Sequence, residues 1–291
     1  MEENIPVAPA AFIDIEKVLA DKSPGLKRFI PGFIIRYLKR IIHQESINGL
    51  INRSHHLYGL DFVDAIMDEF QMKTEVQHFD RIPEKGRFIV ASNHPLGGID
   101  GIGLMQTIGK VRKDIQFPVN DILLNLKNLK PLFIPINKHG SNAENIQILN
   151  DTFAGDAVIC YFPFGLVSRK KNGTIKDLEW KKTFITKARK FKRDIIPAHI
   201  SGRNTNFFYN LANIRKNLGM KTNIEMLYLV EEFYKQENKL LKITFAPAIP
   251  WQTFDKSRTD NEWAEQLRRY VYTLPSGKAE AFDPKNNYPN I

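Results

Sequence analysis

The sequence predicts an α/β fold, a mostly parallel central sheet flanked by helices, with an N-terminal basic amphipathic helical segment. Two observations carry this. After Gly86, short apolar runs alternate with amphipathic stretches, the pattern of parallel strands joined by helical crossovers. Before Gly86, apolar residues recur at helical spacing among cations. Composition agrees. Of 291 residues, 43% are hydrophobic and 25% charged, which fits a folded soluble protein and excludes disordered, collagen-like and disulfide-stapled classes. The one cysteine, Cys160, can form neither an internal disulfide nor a cysteine-based zinc site, and fits a reducing compartment.

Residues 1–74 read as helical and are expected to associate with a membrane. Phe12–Leu19 is a short amphipathic run. Phe29, Ile30, Phe33, Ile34, Tyr37, Leu38, Ile41 and Ile42 then recur at helical spacing, with Lys27, Arg28, Arg36, Lys39 and Arg40 between them. Entered through Pro31-Gly32, this helix suits a bilayer interface or a site packed on the core. A second helical pattern runs to about Met72, and Pro83-Glu84-Lys85-Gly86 is a turn.

Residues 75–274 form the expected α/β domain. Its strand candidates are Arg87–Ser92, Asp114–Val119, Leu132–Ile136, Ala157–Phe162, Ile195–Ile200, Ile224–Val230 and Leu241–Ala246. Helical patterns cover Ala143–Phe153, Leu178–Lys190 and Glu262–Tyr272, and Ser141 with Glu144 has capping-box spacing before the first. Residues 275–291, rich in Pro, Asn and Lys, read as an extended or frayed tail.

The net charge of +10 is concentrated in two places: Leu26–Arg53 carries +5 and Ser168–Arg193 carries +9. Such a field attracts nucleic acid, anionic lipid or an acidic carrier. The basic runs lack interleaved stacking aromatics, which argues against nucleic acid. Met1-Glu2-Glu3-Asn4 lacks the features of a signal peptide, and no apolar run is long enough to span a bilayer. The expected location is cytoplasmic, peripherally on the inner face of the membrane.

The most informative stretch is Ser92-Asn93-His94-Pro95-Leu96-Gly97-Gly98-Ile99-Asp100-Gly101, directly after a predicted strand. A His and an Asp joined by a short Gly-containing linker allow the carboxylate to fold back onto one imidazole nitrogen. The other nitrogen is then free to take a proton from a bound hydroxyl. The alternative is a polar strand-end turn with a solvated histidine.

This stretch resembles the first motif of the glycerolipid acyltransferase family, the 1-acylglycerol-3-phosphate acyltransferases and relatives, in which Asn-His precedes an Asp by four intervening residues. Here five intervene, which resembles the haemolysin-like and amino-acid-lipid O-acyltransferase branch. Gly97 and Gly98 can absorb the extra residue. Pro131–Lys138 resembles the second motif, with Asn137 and Lys138 where an Arg is usual. Phe162-Pro163-Phe164-Gly165-Leu166-Val167-Ser168-Arg169 resembles the third, with Phe164 and Leu166 replacing its Glu and Thr. Ile195–Ile200, with Pro197 at its centre, resembles the fourth.

The resemblance implies a lysolipid O-acyltransferase. Its donor is an acyl-carrier protein or coenzyme A thioester, a cosubstrate rather than a bound cofactor, and no metal is implied. His94 would be the base and Asp100 its partner. Asn93, Gly97, Gly98, Lys138, Gly165, Ser168, Arg169 and Pro197 would line the substrate site, with Arg169 on an anionic headgroup. Lysophosphatidic acid is the family's commonest acceptor. A lyso-ornithine or lyso-glycine lipid is the rival, because the acid of the third motif is missing. A noncatalytic lipid-binding protein of the same fold is a further alternative.

Cys160, Phe162 and Phe164, at alternating positions, are expected on one face, with Cys160 a packed hydrophobe rather than a nucleophile. His43, His55, His56, His78 and His139 show no ligand spacing with carboxylates, and His199 reads as a core or cleft histidine.

Overall fold

The computed structural model describes residues 12–22, 30–120, 123–135, 142–276 and 279–289. Helices α1 (Ile15–Lys22), α2 (Gly32–Ile41), α3 (Gln44–Arg53) and α4 (Leu60–Glu69) precede β1 (Lys73–Gln77) and β2 (Phe88–Ser92). Then come α5 (Gly98–Gly109), β3 (Ile115–Val119), β4 (Phe133–Pro135), α6 (Asn142–Ala154) and β5 (Val158–Tyr161). A hairpin of β6 (Arg169–Lys171) and β7 (Thr174–Lys176) leads to α7 (Thr183–Phe191) and β8 (Asp194–Ser201). The chain ends with α8 (Asn206–Asn217), α9 (Leu229–Tyr234), β9 (Leu240–Phe245) and α10 (Asp260–Val271).

Seven strands form one sheet in the order β1-β9-β8-β2-β5-β3-β4. All pairs are parallel except β8 with β9. Both faces are covered, so the central strands are mostly apolar; every residue of β2 is buried. Alternation along β2 sends Val90 to the layer under α4 and α5, with Val63, Met67 and Leu104. It sends Ile89 and Ala91 to the opposite, lower layer, with Trp180, Phe184, Trp263 and Leu267, the α4–α5 side being the upper one.

The structure departs from or adds to the sequence expectations at several elements. Residues 224–230 form no strand: a 3₁₀ turn, Ile224–Tyr228, runs into α9. A short apolar run does not by itself separate strand from helix, and here the carboxylate of Glu225 is buried inside the turn. The second helical pattern stops at Glu69, where Gln71 takes a left-handed φ of 47° and turns the chain into β1. The hairpin Arg169–Lys176 was not anticipated, although Asn172-Gly173, both at positive φ, is a strong two-residue hairpin signal. The tail is extended but packed, with Ala279 and Tyr288 buried in the lower core. The Ser141–Glu144 cap lies outside the described residues.

The N-terminal helices are only partly docked. Phe62, Val63, Ile66 and Met67 of α4 are core residues. In α2 only Ile41 is buried, while Phe33 is 64% exposed; Phe29 is outside the described residues. Among these residues no helix is long and apolar enough to cross a membrane.

Arg193, fully buried, joins α6 to β5 and β8. Its guanidinium donates to the carbonyls of Phe153 (2.7 Å), Ala157 (2.6 Å), Thr152 (3.3 Å) and Gly155 (2.5 Å). These include carbonyls at the C-terminus of α6, which lack intrahelical partners. Arg193→Met leaves them unsatisfied and should lower stability by about 3 kcal/mol in urea denaturation.

Candidate active site

β2 carries its following loop to the carboxyl edge of the sheet, the edge where open α/β folds hold ligands. Asn93 extends the β2–β8 ladder by one side chain. Its Nδ2 donates to the Ile200 carbonyl at 2.9 Å and its Oδ1 accepts the Ile200 N–H at 2.7 Å. The amide of Asn93, expected to line the substrate site, thus also holds the end of β2 against β8.

Asp100 sits in the first turn of α5, where the helix dipole favours an acid. Its Oδ2 accepts the N–H groups of Leu96 (2.8 Å) and Gly97 (3.0 Å). Gly97, at the N-cap, has φ 92°, and a Cβ there would meet Leu229 at 3.4 Å and Val167 at 3.5 Å. This left-handed turn, open to glycine, accommodates the fifth residue between His94 and Asp100. A Cβ on Gly98 would sit 3.5 Å from the Phe233 ring, so α9 covers both glycines.

With the carboxyl pinned, Asp100 Oδ2 lies 3.0 Å from His94 Nδ1. The approach is off the ring's N–H axis, a close contact rather than an aligned hydrogen bond; catalytic contacts commonly align only when substrate binds. The imidazole stacks on Phe162 with centroids 4.1 Å apart and is 17% exposed. No protein group among the described residues is bonded to its Nε2. Burial pushes the Asp100 carboxyl above the usual range, and the contact with His94 pulls it back. A histidine oriented through Nδ1 and open at Nε2 can accept a proton from a hydroxyl.

Asp177, which sequence reasoning missed, ties this loop to the third motif. The carboxylate is buried and accepts the Ser168 hydroxyl (2.6 Å), the Trp180 indole N–H (2.9 Å) and the His94 backbone N–H (3.3 Å). The Ser168 N–H donates to the His94 carbonyl at 2.8 Å. The hydroxyl of Ser168, expected to line the substrate site, thus donates to a buried carboxylate of the protein itself. Burial pushes the Asp177 carboxyl up, opposed by its bonds from Ser168 and Trp180. Nothing in its spacing, an Asp in a basic run, marked it in the sequence.

Gly165 turns at φ 69°, its N–H donating to the Phe162 carbonyl at 3.0 Å. Cys160, Phe162 and Phe164 do not share a face. β5 ends at Tyr161 and the chain turns at Pro163, so Cys160 and Phe162 join the upper layer and Phe164 the lower. Burial raises the Cys160 thiol well above its ordinary range, which suits a packed hydrophobe. Arg169 meets an acid after all: Glu225 Oε1 lies 3.2 Å from its Nη2. This partner comes from the turn that the sequence suggested was a strand.

Pro197 is buried in β8 opposite Ala91, one residue pair short of the sheet edge. Lys138 lies outside the described residues. Burial lowers His199 to about 4, consistent with a neutral core histidine. His43, which shows no ligand spacing with carboxylates in the sequence, is 2.6 Å from Glu231 of α9. The two are 188 positions apart, a separation invisible to local spacing.

Gly97→Ala should cost about 1–2 kcal/mol, because an L residue must adopt the left-handed turn. Thermal denaturation tests it; an unchanged melting temperature would remove the turn's requirement for glycine.

A family model described as "Acyltransferase" matches residues 17–279. A lyso-glycine lipid O-acyltransferase of Bacteroides thetaiotaomicron is 46% identical over 264 residues, covering 90% of this chain and 97% of that protein. A protein of the same description from Phocaeicola vulgatus is also 46% identical, covering 90% and 95%. A solved structure, the 1-acyl-sn-glycerophosphate (LPA) acyltransferase PlsC from Thermotoga maritima, aligns over 85% of this chain and 94% of its own, with TM-score 0.45 and 13% identity. With the family model covering most of its length and two relatives at this identity, the chain belongs to the acyltransferase family and is an acyltransferase.

Proposed function

We propose that this enzyme transfers a fatty acyl group from an acyl-carrier protein or coenzyme A thioester to the hydroxyl of a lysolipid, with a lyso-glycine lipid as acceptor. The observation that carries the reading is the buried Asp100 carboxylate 3.0 Å behind His94 Nδ1, with Nε2 open at the sheet edge. The names of the two relatives support the acceptor, as does the burial of Phe164 where the resembling motif carries a Glu.

In this mechanism the acceptor oxygen attacks the thioester carbonyl while His94 Nε2 takes the hydroxyl proton. Asp100 stabilises the imidazolium that forms. The tetrahedral intermediate then collapses, the C–S bond breaks, and the thiolate leaves with the proton returned by His94. Transfer is direct: Cys160 is packed in the core and Ser168 donates to Asp177 rather than to a histidine.

His94→Ala should cut turnover by about 10²–10⁴-fold with little change in thermal stability. Asp100→Asn should impair it equally or less, since it misorients the base without deleting it. Near wild-type turnover by His94→Ala would end the mechanism. Acceptor panels resolved by mass spectrometry decide the headgroup: lysophosphatidic acid outcompeting lyso-glycine lipid would favour the 1-acylglycerol-3-phosphate acyltransferase reading. A noncatalytic lipid-binding role would require no transfer to any lysolipid, and the 3.0 Å contact speaks against it.

The same proposal places the enzyme on an anionic membrane at its cytoplasmic face. Phe33 and Tyr37 of α2 are exposed, as are Phe207, Leu218 and Leu227 from the 206–228 region. The two groups meet where the hydroxyls of Tyr37 and Tyr228 lie 2.7 Å apart and Phe207 packs edge-on against Tyr228. Exposed Arg36 and Arg40 lie in α2 with Phe33 and Tyr37, and exposed Lys216 and Lys221 flank Leu218 in sequence, a combination suited to an interface rich in acidic headgroups. Anionic liposomes should float the protein, and salt should release part of it. Phe33→Ser with Leu218→Ser should weaken flotation without lowering the melting temperature. Unaltered flotation of that double variant would contradict the surface.

A further inference from the structure

The third motif's arginine does not stand alone. Glu225, fully buried, holds two guanidiniums: Arg169 Nη2 is 3.2 Å from Oε1, and Arg215 Nε is 2.9 Å from Oε2. Arg169 also donates to the Val167 carbonyl at 2.7 Å and rests over the Phe208 ring. Arg215 donates to the Met220 carbonyl at 2.8 Å. Each guanidinium carries five N–H donors, so both keep donors beyond these bonds, and both side chains retain some exposure. The cluster borders the base. Ser168, next to Arg169, bonds the His94 carbonyl, and Leu229, four residues after Glu225, covers Gly97.

Two cations against one carboxylate leave the cluster one positive charge in excess. A single carboxylate ligand would balance it, giving two ion pairs. A phosphate monoester, carrying about −1.5 to −2 near neutrality, would overshoot. Buried charge is tolerated when it is paired and costly when it is not.

We propose that Glu225, by holding Arg169 and Arg215 together and cancelling one of their charges, makes this cluster a headgroup site that selects a monoanionic carboxylate over a phosphate monoester. Arg215 is its second anchor. The inference rests on the proposed function, in which Arg169 faces the acceptor headgroup, and adds the group that sets the charge of that site.

Purified full-length protein is offered a lyso-glycine lipid and lysophosphatidic acid of matched chain length in equal amounts, with the product ratio read by mass spectrometry. Wild type should favour the carboxylate. Glu225→Gln raises the site's charge by one and should move the ratio about tenfold toward the phosphate monoester. Arg215→Gln lowers the charge by one and should move the ratio the other way, because the more highly charged ligand loses more. It should also raise the acceptor KM with little change in kcat. A purely structural role would shift both variants alike. Ratios that stay fixed, or shift in the same direction, overturn the inference while leaving the proposed function standing. Absence of acylation of either lipid by wild type overturns both. Should Glu225→Gln fail to fold, Arg215→Gln alone decides: movement toward the carboxylate supports the site, and no movement or the reverse refutes it.

Discussion

The site depends on burying one carboxylate at the first turn of a helix. Asp100 loses its hydration on entering the core and regains partners from two backbone N–H groups and the helix N-terminus. Those partners fix Oδ2 where His94 Nδ1 can meet it. The geometry requires a chain reversal that only the left-handed Gly97 turn supplies at low cost. The sheet provides the rest of the rigidity. Asn93 clamps β2 to β8, and Asp177 clamps the His94 backbone to Ser168. The imidazole is therefore held on three sides, by Asp100, by the stacked Phe162 ring and through its own backbone.

The region 224–234 connects functions that the sequence keeps apart. Glu225 holds the arginines, Leu229 and Phe233 cover the glycines of the base loop, and Glu231 pairs with His43 at the start of α3. Tyr228 meets Tyr37 of α2. One short helical stretch thereby touches the arginine cluster, the His94 loop and the N-terminal helices. An amphipathic surface built on α2 and the 206–228 region would bring a bilayer beside that stretch, so a lipid leaving the membrane would have little distance to travel.

Much of this was legible in the sequence where the signal was local. The apolar runs of β2, β5 and β8 stood out because both sheet faces are buried there, and the His94–Asp100 pair stood out because only five residues separate its members. Pairs far apart in sequence were not legible: Asp177 with His94, Glu225 with Arg169, His43 with Glu231. Each owes its contact to tertiary packing, which spacing does not encode. Residues 224–230 misled because a short, mostly apolar run, interrupted here only by Glu225, satisfies strand and helix patterns alike. The hairpin at Asn172-Gly173 had a readable signal that the surrounding cationic run obscured.

The central claim is that the acceptor's hydroxyl, activated by His94, attacks the thioester without an acyl-enzyme. The direct measurement is a rapid-quench intact-mass experiment in which the enzyme first meets the acyl thioester alone and then receives lysolipid. Direct transfer predicts unmodified protein throughout, with acylated lipid forming only once the acceptor is added. A fatty acyl adduct on the protein that disappears into product on addition of lysolipid would contradict it.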